Sequence, residues 1–155
     1  MDFFNYMAVK MVRVLPGWLV TKLVFILSPK VIVGVVAIVF NEKKEVLVLH
    51  HTYRKKRPWR FPGGLAKRKE NPFETAVREL KEEANIEARA IAILDVCHAQ
   101  SGTLDVCVLC QTERIGSFRA NVEVDDYRWV KADCIDFDLT KEQARFLNKA
   151  LPFLS

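Results

Sequence analysis

Long apolar runs are missing from this chain of 155 residues: no uninterrupted stretch reaches the ~18 residues that a helix needs to span a bilayer, although half of the residues are hydrophobic. Internal repeats and low-complexity tracts are absent too, which argues against repeat arrays and biased linkers. Histidine is scarce, and His50, His51 and His98 show no metal-ligand spacing. Cysteine is nearly as scarce. Cys107 and Cys110 have C-x-x-C spacing but lie in a strand-like run, Thr103 to Gln111, where residues three apart point to opposite faces. That argues against joint ligation by the pair. With Cys97 and Cys134, and with no small-residue signal cleavage site, the expectation is reduced thiols in a cytoplasmic protein.

What is present is an ordinary globular balance, with 28% charged residues and enough length for one domain with a real core. The formal charge of +5 is unevenly spread. Residues 54–69 carry Arg54, Lys55, Lys56, Arg57, Arg60, Lys67, Arg68 and Lys69 and no acid. A run of this kind is either a solvated loop or a means of capturing an anionic, phosphate-bearing substrate. Arg54, Arg57 and Arg60, with Trp59 available for stacking, are the candidate substrate-binding residues.

The densest pattern follows. Asn71-Pro72-Phe73-Glu74 offers a helix N-cap, a proline at the first helical position and a glutamate three residues after the cap. From Phe73 to Ala84 the period is helical, with Phe73, Ala76, Val77, Leu80 and Ala84 in one apolar stripe. Glu79, Glu82 and Glu83 fill the adjoining sector at i, i+3 and i+4. Three carboxylates so placed repel one another. A hard cation such as Mg²⁺, which prefers carboxylate oxygens together with substrate phosphates, would convert that cost into a site.

The stretch from Gly64 to Ile86 resembles the Nudix box, G-x5-E-x7-R-E-U-x-E-E-x-G-U with U bulky and aliphatic, at Gly64, Glu70, Arg78, Glu79, Leu80, Glu82, Glu83 and Ile86. Asn85 replaces the last glycine of the pattern. It follows the helix, where a left-handed backbone is expected, and asparagine tolerates that best after glycine. The resemblance to this MutT-type family implies a hydrolase that cleaves a pyrophosphate bond with Mg²⁺, or Mn²⁺ as the alternative. Glu79, Glu82 and Glu83 would be metal ligands, Arg78 would orient a carboxylate, and Glu70 would be structural. Trp59-Arg60-Phe61-Pro62-Gly63-Gly64 is similar to the strand and glycine turn that lead into such a box. That likeness implies a carbonyl of Gly63 or Gly64 facing the metal. Glu123, six residues before Trp129, stands where some members place a further ligand or proton acceptor, with Asp125 and Asp126 as alternatives.

The strand and helix signals suit a mixed sheet between helices. Strands are expected at Val31–Phe40 and Glu45–His50 as a hairpin, at 88–99, 103–111 and 126–130, and a helix at 140–150. The Nudix resemblance implies an α/β/α sandwich over residues 31–155. Residues 1–30 fall outside it. They form an apolar, aromatic-bearing, basic extension split by Pro16-Gly17, expected to be helical and to pack on the domain, build a homodimer or lie on an anionic membrane surface. The substrate expected from this reading is a small nucleotide derivative, an NDP-sugar or an ordinary or oxidised nucleoside triphosphate. An RNA 5′-end pyrophosphohydrolase and a silent nucleotide-binding regulator are the rival readings, with nucleic acid disfavoured as a partner.

Overall fold

The computed structural model describes residues 15–99 and 102–154. The chain divides into two units, Met1–Val31 and Ile32–Ser155. Of the first, the described part is helix α1, Gly17–Leu27. Pro16 precedes it in an extended conformation, and Thr21 Oγ1 donates to Gly17 O at 3.0 Å within its first turns. Ser28 ends it, its amide donating to Val24 O at 2.8 Å, and Pro29 cannot continue the helix. Lys30 Nζ folds back onto the last-turn carbonyls of Phe25 and Ser28, where a cation suits the helix dipole. The expectation for the segment before Leu15 lies outside the described residues. Among the described residues no helix is long and apolar enough to cross a membrane.

The second unit is built on a seven-stranded mixed sheet: β1 (Val33–Phe40), β2 (Glu45–His51), β3 (Trp59–Arg60), β4 (Gly63–Leu65), β5 (Ile86–His98), β6 (Leu104–Ile115) and β7 (Val124–Lys131). Its main path runs β3-β2-β1-β6-β5, with β4 also on β1 and β7 also on β2. The β1–β6 pair is parallel, in register from Val33↔Leu104 to Phe40↔Gln111, while the other pairings are antiparallel. The expected β1–β2 hairpin forms, closed by Asn41, whose Oδ1 accepts from the amides of Lys43 and Glu45. Asparagine turns a chain by this bonding to its own neighbours.

Strand alternation divides the core into two layers. Val35, Ala37, Val39, Leu47, Leu49, Val106, Val108 and Cys110 face helix α2 (Pro72–Ala84), through Ala76, Leu80 and Ala84. Ile38, Val46, Val48 and Cys107 face helix α3 (Lys141–Ala150), through Phe146, Leu147 and Ala150. Cys107 and Cys110 thus lie on opposite sides of the sheet, as their spacing in a strand requires. The result is a sandwich of helix, sheet and helix. Of the 23 buried apolar residues, the valines, leucines, isoleucines and phenylalanines each contribute ~1.5–3 kcal/mol of transfer free energy against the entropy of ordering the chain.

Two details depart from the sequence pattern. The Gly63-Gly64 segment is a short strand rather than a turn, pairing Gly63 with Val36 and Gly64 with Val35. A Cβ on Gly63 would sit 2.2 Å from Val35 O, so only glycine lets the two backbones come this close. The buried stripe of α2 is also rotated. Phe73 is exposed and Val77 only half-buried, whereas Thr75 and Glu83 join Ala76, Leu80 and Ala84 inside.

The ends of α2 follow the sequence closely. Asn71 Oδ1 accepts from the Glu74 amide at 3.0 Å and Glu74 Oε2 accepts from the Asn71 amide at 2.9 Å, a complete capping box. Asn85 is left-handed, φ 53°, ψ 39°. Its side chain is not idle, since Asn85 Nδ2 donates to Ser117 O at 3.0 Å, while its backbone carbonyl accepts from Gly116 N at 3.0 Å. Asn85→Val should therefore cost about 2 kcal/mol or more, combining left-handed strain in a β-branched residue with a lost hydrogen bond. Asn85→Gly keeps the backbone and loses only the bond. Thermal melts in which the Val and Gly variants unfold together would contradict this.

Candidate active site

Strand β4 and helix α2 bring the box residues together at one end of the sheet. Arg78 is the hub. Its Nε donates to Glu70 Oε1 at 2.7 Å and its Nη2 to Glu70 Oε2 at 3.0 Å, a two-pronged pair that a planar guanidinium suits and an ammonium does not. Nη1 reaches Glu79 Oε1 at 2.6 Å and Glu82 Oε2 at 3.0 Å, and Nη2 also reaches Leu65 O at 3.1 Å. Glu70 accepts further bonds from the Lys67 amide at 2.9 Å and Thr75 Oγ1 at 3.0 Å. Hydrogen bonding to Arg78 first, and to Lys67 next, holds the Glu70 carboxyl down at about 2. The same bonds raise the Arg78 guanidinium, Glu70 contributing most. Residue 70 is thus a structural anchor for Arg78.

The three clustered glutamates are treated unequally. Glu83 is buried, and one oxygen accepts from the Gly63 amide at 3.0 Å. Burial pushes its carboxyl up to about 8 against that hydrogen bond, with the charges of Glu79, Glu123 and Glu82 adding to the rise. Burial likewise raises Glu79, in spite of Arg78. Glu82 is more exposed and shares an ion pair with Lys67 at 3.3 Å. Gly64 lies against Glu79: a Cβ there would fall 2.2 Å from Glu79 Oε1. Glu123, at the foot of β7, is near enough for its charge to act on Glu83. Asp125 instead meets His50 Nδ1 at 2.5 Å, and Asp126 accepts from the Tyr127 amide.

As they stand, no three His, Cys, Asp or Glu side chains among the described residues are gathered to hold a metal ion. Arg78 and Lys67 supply the positive charge between them. The donor set nonetheless fits a hard divalent cation. It offers oxygen only, burial holds its two most buried carboxylates above their ordinary range, where a cation would favour the charged form, and the absence of a side chain at Gly64 lets Glu79 lie against strand β4.

Gly63 and Gly64 also border a cleft of about 520 Å³, a size suited to a nucleotide-scale ligand. Its walls include His51, Arg54, Arg60, Asp105 and Gln143. The basic run lines its outer end and an adjoining recess that holds Arg54, Lys56, Arg57 and Arg60 with Asp138 and Thr140. Trp59 lines neither. Its ring carries the Arg128 guanidinium at 4.1 Å and packs near His50 and Phe137. The structure thus brings together Gly63, Gly64, Arg78, Glu79, Glu82, Glu83 and Glu123 at one corner and Arg54, Arg57 and Arg60 at another, and places Trp59 apart.

His51, Asp105 and Gln143 were not legible as site residues. They come from three different elements, and their only sequence signal is polarity where the pattern calls for a core position. His51 is 3% exposed and its Nδ1 has no hydrogen-bond partner. Such an unpaired buried atom costs on the order of 1–3 kcal/mol. Burial foremost, with Arg54, Arg60 and His50, lowers its pKa to about 4. A histidine depressed from 6.5 contributes stability that is fully present above pH 6.5 and lost as pH falls through 4. We expect His51→Gln to flatten this acid limb of a pH-stability curve, by up to about 3 kcal/mol at its foot. An unchanged limb would contradict the assignment.

A family model described as the NUDIX domain matches residues 30–150. Among curated proteins, the human "Nucleoside diphosphate-linked moiety X motif 6" is 33% identical over 85 residues, covering 51% of this chain and 27% of that protein. "Nudix hydrolase 6" of Arabidopsis thaliana is 34% identical over 89 residues, covering 52% of this chain and 31% of its own. The chain thus matches less than a third of the length of either relative. A crystal structure of a UDP-X diphosphatase superposes with a TM-score of 0.68 at 20% identity, over 98% of this chain and 80% of that one. At that identity the likeness speaks for the fold.

Proposed function

The chain belongs to the NUDIX domain family, and from that premise we propose that residues 31–155 form a Mg²⁺-dependent hydrolase of the pyrophosphate bond in a nucleoside diphosphate linked to another moiety. The observation that carries this is the packing of Glu83 on the Gly63 amide and of Glu79 against Gly64, with Glu82 on the same helix and the charge of Glu123 reaching Glu83, where those two glycines also border the cleft. The relatives named for nucleoside diphosphate-linked moieties and UDP-X support the substrate class.

Glu79, Glu82 and Glu83, a carbonyl of Gly63 or Gly64, and Glu123 would hold the cation. When bound, it supplies neutralisation of the diphosphate oxygens and a more acidic water. Hydrolysis forms one P–O bond to the water oxygen and breaks one to the bridging oxygen. Arg78 holds Glu79 and Glu82 while Glu70 and Leu65 O fix Arg78, which limits how far these carboxylates need to turn to meet a cation. The Gly63 amide holds one oxygen of Glu83 in place. Free thiols at Cys97, Cys107, Cys110 and Cys134 fit a reducing, cytoplasmic setting.

The deciding measurement is a panel of UDP-sugars, ADP-ribose, ordinary and oxidised nucleoside triphosphates and 5′-triphosphorylated RNA, with Mg²⁺, Mn²⁺ or chelator. Phosphate products would be counted before and after phosphatase treatment. A nucleotide product from a small derivative, abolished by chelator, is the expected result. The basic recess favours one rival, RNA 5′-end hydrolysis, and cleavage of the RNA alone would establish it. No product from any compound with either metal would point to a silent binding module.

A further inference from the structure

The catalytic corner needs a diphosphate, and the carboxylates there are separated from the basic recess by the cleft. Charges are balanced within that cleft, where Arg54 and Arg60 face Asp105 and Glu142. Beyond it they are not. The recess joins the cleft through Arg54, Arg60 and Thr140 and adds Lys56 and Arg57, with Asp138 as its acid. Among the described residues, Arg54, Lys56, Arg57 and Arg60 enter no ion pair. Arg54 rests over the Tyr53 ring at 5.3 Å. Arg60, half-buried, meets Gln143, whose amide oxygen, in the orientation its neighbours require, accepts from Arg60 Nε and the Phe61 amide at 3.2 Å. Burial, and then Arg54, push the Arg60 guanidinium below its ordinary range. Between the two ends, His51 Nδ1 is buried in the cleft wall without a partner.

A substrate bearing only a neutral sugar or base beyond its diphosphate would leave Arg54, Lys56 and Arg57, all exposed, to solvent alone. We infer that the moiety attached to the nucleoside diphosphate carries its own anionic group, a phosphate monoester, which seats in the recess between Arg54, Lys56, Arg57 and Arg60 while the intervening polar part passes His51. This rests on the hydrolase reading and narrows its substrate class from any linked moiety to a phosphorylated one. Guanidinium forks suit the terminal oxygens of a monoester, and Lys56 adds a point charge. The diphosphate at the glutamate corner and the monoester at the recess would hold the substrate at both ends, fixing the reacting bond between them.

Two pairs of compounds test this, each differing by one phosphate monoester on the group linked to a nucleoside diphosphate: ADP-ribose 1″-phosphate against ADP-ribose, and NADPH against NADH, where adenosine 2′-phosphate is the group linked to the nicotinamide nucleoside diphosphate. Binding is measured by calorimetry on the full chain without metal, where no hydrolysis intervenes, and kcat/KM is measured with Mg²⁺. The phosphorylated member of at least one pair should bind ten-fold or more tighter at low salt. That ratio should fall to within about twofold of one in Lys56→Ala/Arg57→Ala. Raising the salt should shrink it as well, since the contact is charge on charge. Equal affinities within both pairs, a preference that survives the double substitution, or no measurable binding of any of the four would overturn the inference. Binding of 5′-triphosphorylated RNA more tightly than every phosphorylated small molecule would overturn it too. A preference in binding without hydrolysis would leave the recess assigned and remove the hydrolase reading, whereas hydrolysis without preference would do the reverse.

Discussion

Glu83→Gln and Glu82→Gln should each lower kcat/KM on the preferred nucleotide derivative by at least about a hundredfold, roughly 2.7 kcal/mol of transition-state stabilisation. The change keeps size and helix propensity and removes one charged oxygen ligand from the proposed cation site. In Glu83→Gln the amide oxygen still accepts from the Gly63 amide, so the β4–α2 contact survives. Folding should be intact, because a buried carboxylate without a counter-charge has been removed rather than created. Steady-state kinetics across a Mg²⁺ titration, beside a thermal melt, decide the point. Either variant turning over at near-parental rate, at any Mg²⁺ concentration, would remove these residues from the catalytic machinery.

The second large effect concerns Arg78. Arg78→Lys keeps the charge but loses the fork that grips Glu70 with two nitrogens while reaching Glu79, Glu82 and Leu65 O with the same group. Activity should drop ten- to a hundredfold, the usual cost of releasing a residue that orients ligands. The apparent Mg²⁺ requirement should rise along with it. Glu70→Gln attacks the same pair from the other side and should give a smaller loss in the same direction. Because the two residues act as a unit, the double variant should be barely worse than Arg78→Lys alone. Losses that multiply would show that Arg78 and Glu70 act separately, and an unchanged Mg²⁺ requirement would remove the orienting role.

These expectations come from residues whose meaning is legible in the sequence itself. A capping box, a helical period and three acids on one sector dictate α2 and its acidic edge through local rules alone, and Asn85 had one plausible backbone. The hairpin was legible for the same reason, since a β-branched run ending in an asparagine turn is a short-range signal. Other parts depend on partners far along the chain. Gly63-Gly64 reads locally as a turn, yet it is a strand because β1 lies alongside it and no side chain intervenes. Phe73 looked like core by period, but the neighbours of α2 draw Glu83 inward instead. The cleft was out of reach for a related reason: His51, Asp105 and Gln143 come from β2, β6 and α3, and nothing in the sequence announces their meeting. Trp59 shows the converse hazard, an aromatic next to cations that pairs with Arg128 outside the cleft.

The parallel pairing of β1 with β6 sets a condition on how the chain acquires its fold. Strand β1 contacts partners on both edges: β4 and β2 close by in sequence, and β6 about seventy residues later. Until β6 has been synthesised, one whole edge of the most apolar strand offers its amides and carbonyls to any extended segment. Closing so long a loop costs entropy before any pairing repays it, so acquisition of the sheet should be slow relative to formation of α2. The nascent chain is then most at risk of aggregation during synthesis of residues 41–103, when β1 exists and β6 does not.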